Sequence, residues 1–298
     1  MNRNVPILFA HSWPVTNHQI AGGGCYIRPD FSALRFVPQN DGAKAPIQEE
    51  EAPQIPGAEL HDAESLTLAS NYARFDSWIF PGNTNFDGAQ FFAARFCKAR
   101  FLGDASFRKT QFSGDANFNK AQFCADTWFE ETRFSGAASS FDAAQFLGDV
   151  EFQKVEFMGV IGFCKTQFSG DAAFEEAQFS GSAWFESAKF SGDAVFDKAA
   201  FAGDLSFDKV QFSSDAWFNE ARFEGTAWFT IARCEGGTSF EKAYFAKDAI
   251  FDAMRGESFF DLENVIFDAL PSFVQANFKE ALRLDHITPG KAWEPGNF

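Results

Sequence analysis

Phe112-Ser113-Gly114-Asp115-Ala116-Asn117-Phe118-Asn119-Lys120-Ala121-Gln122 is one eleven-residue unit of a pattern that fills most of the chain. Around it Phe recurs at 101, 107, 112, 118, 123, 129 and 134, in alternating steps of six and five, and again from 141 and 146. One register runs from Phe146 by elevens through Phe223, passes Cys234 to Phe245, skips at Gly256 and resumes at Phe267 and Phe278. The other runs from Phe141 to Phe251, then Leu262 and Phe273. One extra residue near Ser139 to Phe141 shifts both registers together, as an insertion into a turn does.

An eleven-residue period also describes a right-handed helical coiled coil. Steps of five and six, however, put successive Phe on different faces of a helix, whose stripes need steps of three and four. In extended chain the Ala two before each Phe, as in Ala116 with Phe118 and Ala121 with Phe123, points to the same side as that Phe. The pattern therefore reads as short strands with Phe and Ala inward. Gly two after alternate Phe, at 103, 114, 136, 148, 170, 181, 192 and 203, supplies permissive backbone for corners.

This A-x-F-x-x signature, with the central Phe and the small residue before it both inward, resembles the pentapeptide-repeat family over roughly residues 75 to 278. The resemblance implies an all-β fold: a right-handed quadrilateral β-helix, a solenoid with one five-residue unit per face. The sixth residue in alternate units, at the Gly-Asp corners, changes the expected coil from twenty to about 22 residues. Asp104, Asp126, Asp149, Asp171, Asp193 and Asp215 recur at that interval once the insertion is allowed for. Residues 75 to 278 then make roughly nine coils, about 45 Å long at ~4.8 Å per strand spacing.

Open coils at the two ends need caps against edge-to-edge association. Residues 279–287 suit a short amphipathic helix as the C-terminal cap, and 288–298 are turn-rich. Residues 38–57 hold four Pro and the run Glu49-Glu50-Glu51, an extended acidic linker. Phe31 and Phe36 make one isolated step of five, and residues 58–74 fit either a helical cap or a first, Leu-based coil. The expected organisation is 1–57 N-terminal segment and linker, 58–278 solenoid, 279–298 cap helix and tail. An end-to-end homodimer is compatible with it.

The composition limits the function. Phe numbers 42 of 298 residues against 3 Tyr and 7 Trp, a bias for a dry interior, because a buried Tyr hydroxyl needs a partner. The net charge of −16 argues against direct nucleic-acid binding, which requires cations to replace phosphate counterions. No apolar run is long enough to span a membrane, and that of residues 5–10 is too short for a signal peptide. Five Cys without a C-x-x-C pair indicate neither a disulfide framework nor a zinc site, so a cytoplasmic protein is expected. All four His lie outside the Phe-repeat region. His11, His18 and Cys25 match no metal spacing, and Gly22-Gly23-Gly24 lacks a phosphate-loop pattern. No catalytic residue, cofactor site or metal site is assigned, and the chain is expected not to be an enzyme. Cys234, on a Phe register, should be a buried filler; Cys97, Cys124 and Cys164, each directly after a Phe, should face outward with nothing to lower their pKa.

Two outward features stand out. Trp128, Trp184, Trp217 and Trp228 each precede a ladder Phe, and exposed Trp anchors interfaces, although outward aromatics also stabilise pleated surfaces. Charge is the second: residues 75 to 278 carry 30 acidic against 17 basic residues, so −13 of the −16, with Asp171, Asp193 and Asp215 on the recurring corner. The primary expectation is a non-catalytic scaffold binding an unidentified protein partner. The family resemblance implies an alternative, since some pentapeptide-repeat proteins bind type II topoisomerases such as gyrase through an acidic surface that mimics DNA. One charge per ~3.5 Å is about half the density of duplex DNA, at one per ~1.7 Å.

Overall fold

The computed structural model describes residues 72–280 and 282–289, together with the short strands Arg35–Phe36 and Thr67–Leu68. The acidic linker, the first three His, Cys25, the glycine run and residues 290–298 lie outside the described residues. Within them the chain winds as a four-sided parallel β-solenoid, each side a sheet of two- or three-residue strands contributed one per coil. Face one runs in ten strands from Ile79–Phe80 to Asn277–Phe278, and face two in ten from Thr84–Asn85 to Leu282–Arg283. Face three has twelve, from Gln90–Phe91 to Thr288–Pro289, with Arg35–Phe36 and Thr67–Leu68 at its other edge; face four has nine, from Tyr72–Arg74 to Ala249–Ile250. The pairing Phe101↔Phe123 on face one and Phe112↔Phe134 on face three shows the 22-residue coil directly.

Side-chain alternation along each strand fills the interior. On faces one and three the second strand residue is a buried Phe; on faces two and four the first is a small residue such as Ala105 or Ala116, and the Phe that follows the strand turns inward. Rings stack along each ladder, Phe101 on Phe123 at 4.7 Å and 2°, and meet the next ladder edge-on, Phe107 against Phe118 at 5.6 Å and 89°. Both are favoured arrangements for aromatic quadrupoles. Thr110, Thr132 and Thr166, which replace the inward Ala of the turn, donate their hydroxyls to carbonyls of the coil before, Thr110 to Phe86 at 2.7 Å, whereas the buried Thr238 hydroxyl has no hydrogen-bond partner.

The corners alternate in kind. Faces two and four each leave through a β-turn of the form Phe-x-x-Ala, closed by bonds such as that from the Ala121 amide to the Phe118 carbonyl, 3.0 Å. The third turn residue has positive φ: Lys109 57°, Lys120 59°, Glu131 54°, and so on once per turn to His286 at 59°. These left-handed residues are held because their amides donate to the next coil, Lys120 to Asp142 O at 2.9 Å. The Gly-Asp corners, in contrast, have no positive φ from Gly103 onward. Their glycines are required by close approach: a Cβ on Gly181 would stand 2.4 Å from the Gly159 carbonyl.

The extra residue near Ser139 falls at the corner entering face four: Gly136 approaches Gly114, 22 residues back, whereas the Ala138 amide donates to Asp115 Oδ1, 23 residues back, at 3.0 Å. The segment from Met254 to Phe260, where Gly256 breaks the Phe register, is regular, pairing Cys234↔Gly256 and Thr238↔Phe260. Phe278 takes the space that Gly256 leaves, where a Cβ would meet its ring at 2.7 Å, and Phe260, in a position other coils give to Ala, Thr or Val, lies 4.7 Å from it. Residues 279–287 form no capping helix. Leu282–Arg283 pairs with Phe260–Asp261, and the turn at Asp285 and His286 repeats the solenoid geometry, so His286 belongs to the repeat. Among the described residues no helix is long and apolar enough to cross a membrane.

Candidate partner-binding surfaces

A core packed with rings leaves only outward positions for recognition. The four tryptophans divide between opposite sides: Trp128 and Trp217 on face two, Trp184 and Trp228 on face four. All are half-buried. On face four, Ser206 lies in register between Trp184 and Trp228 and is itself buried. On face two, the Arg108 guanidinium sits 4.6 Å from the Trp128 ring. Phe259 lies 6.0 Å from Trp217, over Gly237, with the Arg283 guanidinium 5.6 Å from its ring. The tryptophans thus lie two coils apart on face four and four coils apart on face two, where Glu151, Ala173 and Val195 separate them.

Asp171, Asp193 and Asp215 line the corner leading into face two. Each Oδ1 accepts the backbone amide one coil on: Asp171 from Asp193 at 2.8 Å, Asp193 from Asp215 at 3.2 Å, Asp215 from Gly237 at 2.8 Å. The recurrence of Asp at this corner therefore has a structural cause, an amide cap per coil, and leaves a row of negative charge outside. Asp171 is exposed, Asp193 and Asp215 half-buried.

A second acidic row was not singled out by sequence reasoning. Glu130, Glu175 and Asp197 follow the ladder Phe that close face two, with Glu151 on the face itself. Burial, then the neighbouring Glu130, pushes the Glu151 carboxyl above its usual range. Burial likewise raises Asp197, against the bond it accepts from the Asn219 amide at 2.8 Å. One Glu175 oxygen is buried without a hydrogen-bond partner. The signal for this row was the residue after each Phe, compared every 22 positions. Alongside it the left-handed turn residues alternate in sign, Lys154, Glu176, Lys198, Glu220 and Lys242.

The chemistry available is that of a surface. A shallow, open depression of about 460 Å³ is lined by these turn residues, such as Glu176, Lys198 and Glu220, and by Glu175, Asp197, Asn219 and Glu241 beside them. Among the described residues no group of three or more His, Cys, Asp or Glu is placed to hold a metal ion. Burial, reinforced by Asp76 and Asp142, raises the Cys97 and Cys164 thiols, and burial pushes Cys234 up to about 12, so none of these three is an activated nucleophile.

Comparison with known proteins adds one match: the family model for pentapeptide repeats matches nine copies over residues 96–139 and 163–211. No curated protein matches the chain. With four parallel sheets and a 22-residue coil lined by stacked phenylalanines, the solenoid carries pentapeptide repeats over those residues and is similar to the pentapeptide-repeat family.

Proposed function

We propose that the protein is a non-catalytic scaffold of the cytoplasm that binds another protein through its outer faces. The observation that carries this reading is the division of labour along every strand: inward positions are committed to a filled core, and all remaining chemistry lies on flat outer sides. The outward tryptophans on faces two and four supply rigid anchors of the kind that dominate interface energetics. Affinity capture from the source cell tests it. A partner retained by the wild-type chain and lost on Trp217→Ala or Trp228→Ala, with the thermal melt unchanged, is the expected result; retention by both variants removes the tryptophans from the reading.

A second reading draws on the arrangement of charge. The Asp corner row places one carboxylate per coil, every ~4.8 Å, and the Glu130–Glu175–Asp197 row runs parallel to it across face two. Two parallel acidic rows are closer to the two phosphate strands of a duplex than an even spread of charge, which favours a DNA mimic acting on gyrase or a related topoisomerase. Asp→Asn at 171, 193 and 215 keeps the Oδ1 amide cap and removes the charge. Supercoiling inhibition that fades with those changes and with salt supports mimicry; no effect on gyrase at low salt rejects it.

A further inference from the structure

The acidic rows border face two; face one, on the other side of the Asp corner, is built differently. Each coil enters face one through a turn residue, crosses it with one outward strand residue and leaves it through the residue after the ladder Phe. These are Lys98, Arg100 and Leu102 in one coil, Lys120, Gln122 and Cys124 in the next, and Ala143, Gln145 and Leu147 in the third. From 98 to 213 such positions hold Lys98, Arg100, Lys120, Lys165, Lys189 and Lys209, all exposed, and no Asp or Glu, in a chain of net −16. Among the described residues only Lys209 of the six has an ion-pair partner, Glu186 at 3.1 Å, whereas Lys109 and Lys154, at the turn leaving face two, pair with Glu131 and Glu176. The middle row is an amide ladder, in which Gln122 Nε2 donates to Gln145 Oε1 at 3.2 Å. The far row is apolar over the same coils: Leu102 is 41% and Leu147 53% exposed, with half-buried Cys124 between them.

We propose that this part of face one, over the coils from Lys98 to Leu147, receives an acidic protein segment that also carries large apolar side chains. Charge complementarity and the order of the rows select that occupant. Cations without an internal partner attract carboxylates and set the orientation of what docks, and the exposed leucines gain by being covered. The glutamines between them offer a flat, uncharged floor of hydrogen-bonding groups, with no carboxylate to desolvate. A nucleic-acid strand would use the cations and leave Leu102 and Leu147 in water. An anionic lipid surface is too broad: beyond the leucine row it would also meet Asp104, Asp126 and Asp149, which follow Leu102, Cys124 and Leu147 around the corner into face two. A single segment fits between the turn row and that corner. This surface is separate from the outward tryptophans on faces two and four, and the inference does not rest on them.

Fluorescence anisotropy on the full chain tests it, with labelled synthetic peptides of equal length and charge made of Glu with Leu or of Glu with Gly, at low and physiological salt. The Glu–Leu peptide is expected to bind, more tightly than the Glu–Gly peptide, and more weakly as salt rises. Lys98→Glu combined with Lys120→Glu lowers its affinity about tenfold, and Leu147→Ser lowers it while leaving the salt dependence in place. These variants retain the fold, because Glu131 and Glu176 already occupy the equivalent left-handed turn position, at φ 54° and 57°, and Ser169, Ser191 and Ser213 already continue the leucine row. Trp217→Ala and Trp228→Ala leave the peptide affinity unchanged, which separates this surface from one that depends on the tryptophans. No binding of the Glu–Leu peptide, equal binding of the two peptides, or binding that Lys98→Glu with Lys120→Glu does not alter overturns the proposal. So does tighter binding to single-stranded DNA or to phosphatidylserine vesicles than to the Glu–Leu peptide.

Discussion

Replacing Phe174 by Ala removes a ring from the middle of a ladder, and the structure sets the size of the loss. The ring is fully buried, stacked 4.7 Å from both Phe152 and Phe196 and edge-on to Phe163 and Phe185 at 5.7 and 5.8 Å. Loss of its transfer free energy accounts for about 1.5–3 kcal/mol. The neighbours are poorly able to close in, because coil spacing is pinned by backbone bonds such as Phe174 N–H to Val195 O at 2.6 Å and Phe152 N–H to Ala173 O at 2.7 Å. A residual void of roughly 100 Å³ at about 24 cal/mol per Å³ adds some 2.4 kcal/mol, so the expected destabilisation is about 4–5 kcal/mol. Ser180→Ala, outward and exposed just after the following strand, should stay within about half a kcal/mol. Urea unfolding followed by far-UV circular dichroism reads both. A loss below about 2 kcal/mol at Phe174, or equal losses at the two positions, would refute the reasoning that the ladders are rigid and inward.

Gly181→Ala forces a Cβ against the Gly159 backbone and should destabilise by about 1–3 kcal/mol. Gly82→Ala meets nothing within 4 Å and should stabilise by about 0.4–1 kcal/mol; the same sign at both sites in denaturant titrations would contradict close approach as the reason for the corner glycines. Ile231 is β-branched with φ 59° and 46% exposed. Ile231→Gly relieves about 1–2 kcal/mol of left-handed strain and loses part of it to chain entropy, for a net gain of about 0.5–1 kcal/mol, visible as a higher urea midpoint. The folded pKa of Glu151 is raised, so its charged form opposes folding at neutral pH, and that penalty is relieved as pH falls through the raised value toward the ordinary 4.5. Glu151→Gln should therefore raise stability at pH 7 and make no difference below about pH 4; a constant difference across that range of melts would disprove the assignment.

The fold was legible because each Phe and each preceding small residue reports its own orientation, and the report repeats every eleven positions. What stayed hidden had no such reporter. Lys120 and Lys165 give no sign in sequence of positive φ, since the tertiary bonds from their amides hold it, while the corner glycines advertised a conformational freedom that the chain does not use there. The segment 279–287 resembled an amphipathic helix, with Leu282 and His286 one helical turn apart. Aligned 22 residues back, Leu282-Arg283-Leu284 reads as Phe260-Asp261-Leu262, the signal of another coil. Of the candidate surfaces, outward placement of the tryptophans and corner aspartates could be read from alternation; that Trp128 and Trp217 lie across the solenoid from Trp184 and Trp228 requires the assignment of alternate units to opposite sides.

Almost every stacked pair in the interior joins residues 21 to 23 apart, and its cross-section is nearly the same at each level. Length is therefore a free variable of this architecture. Gain or loss of one whole 22-residue unit changes the separation of the two ends by a single ~4.8 Å step and leaves every remaining layer as it was, whereas a gain or loss of any other size must be absorbed at a corner, as between Gly136 and Ala138. The molecule behaves as a ruler graduated in coils, on which the distance between one tryptophan and the next, and between each and the two ends, can be reset in integer steps without redesigning the core.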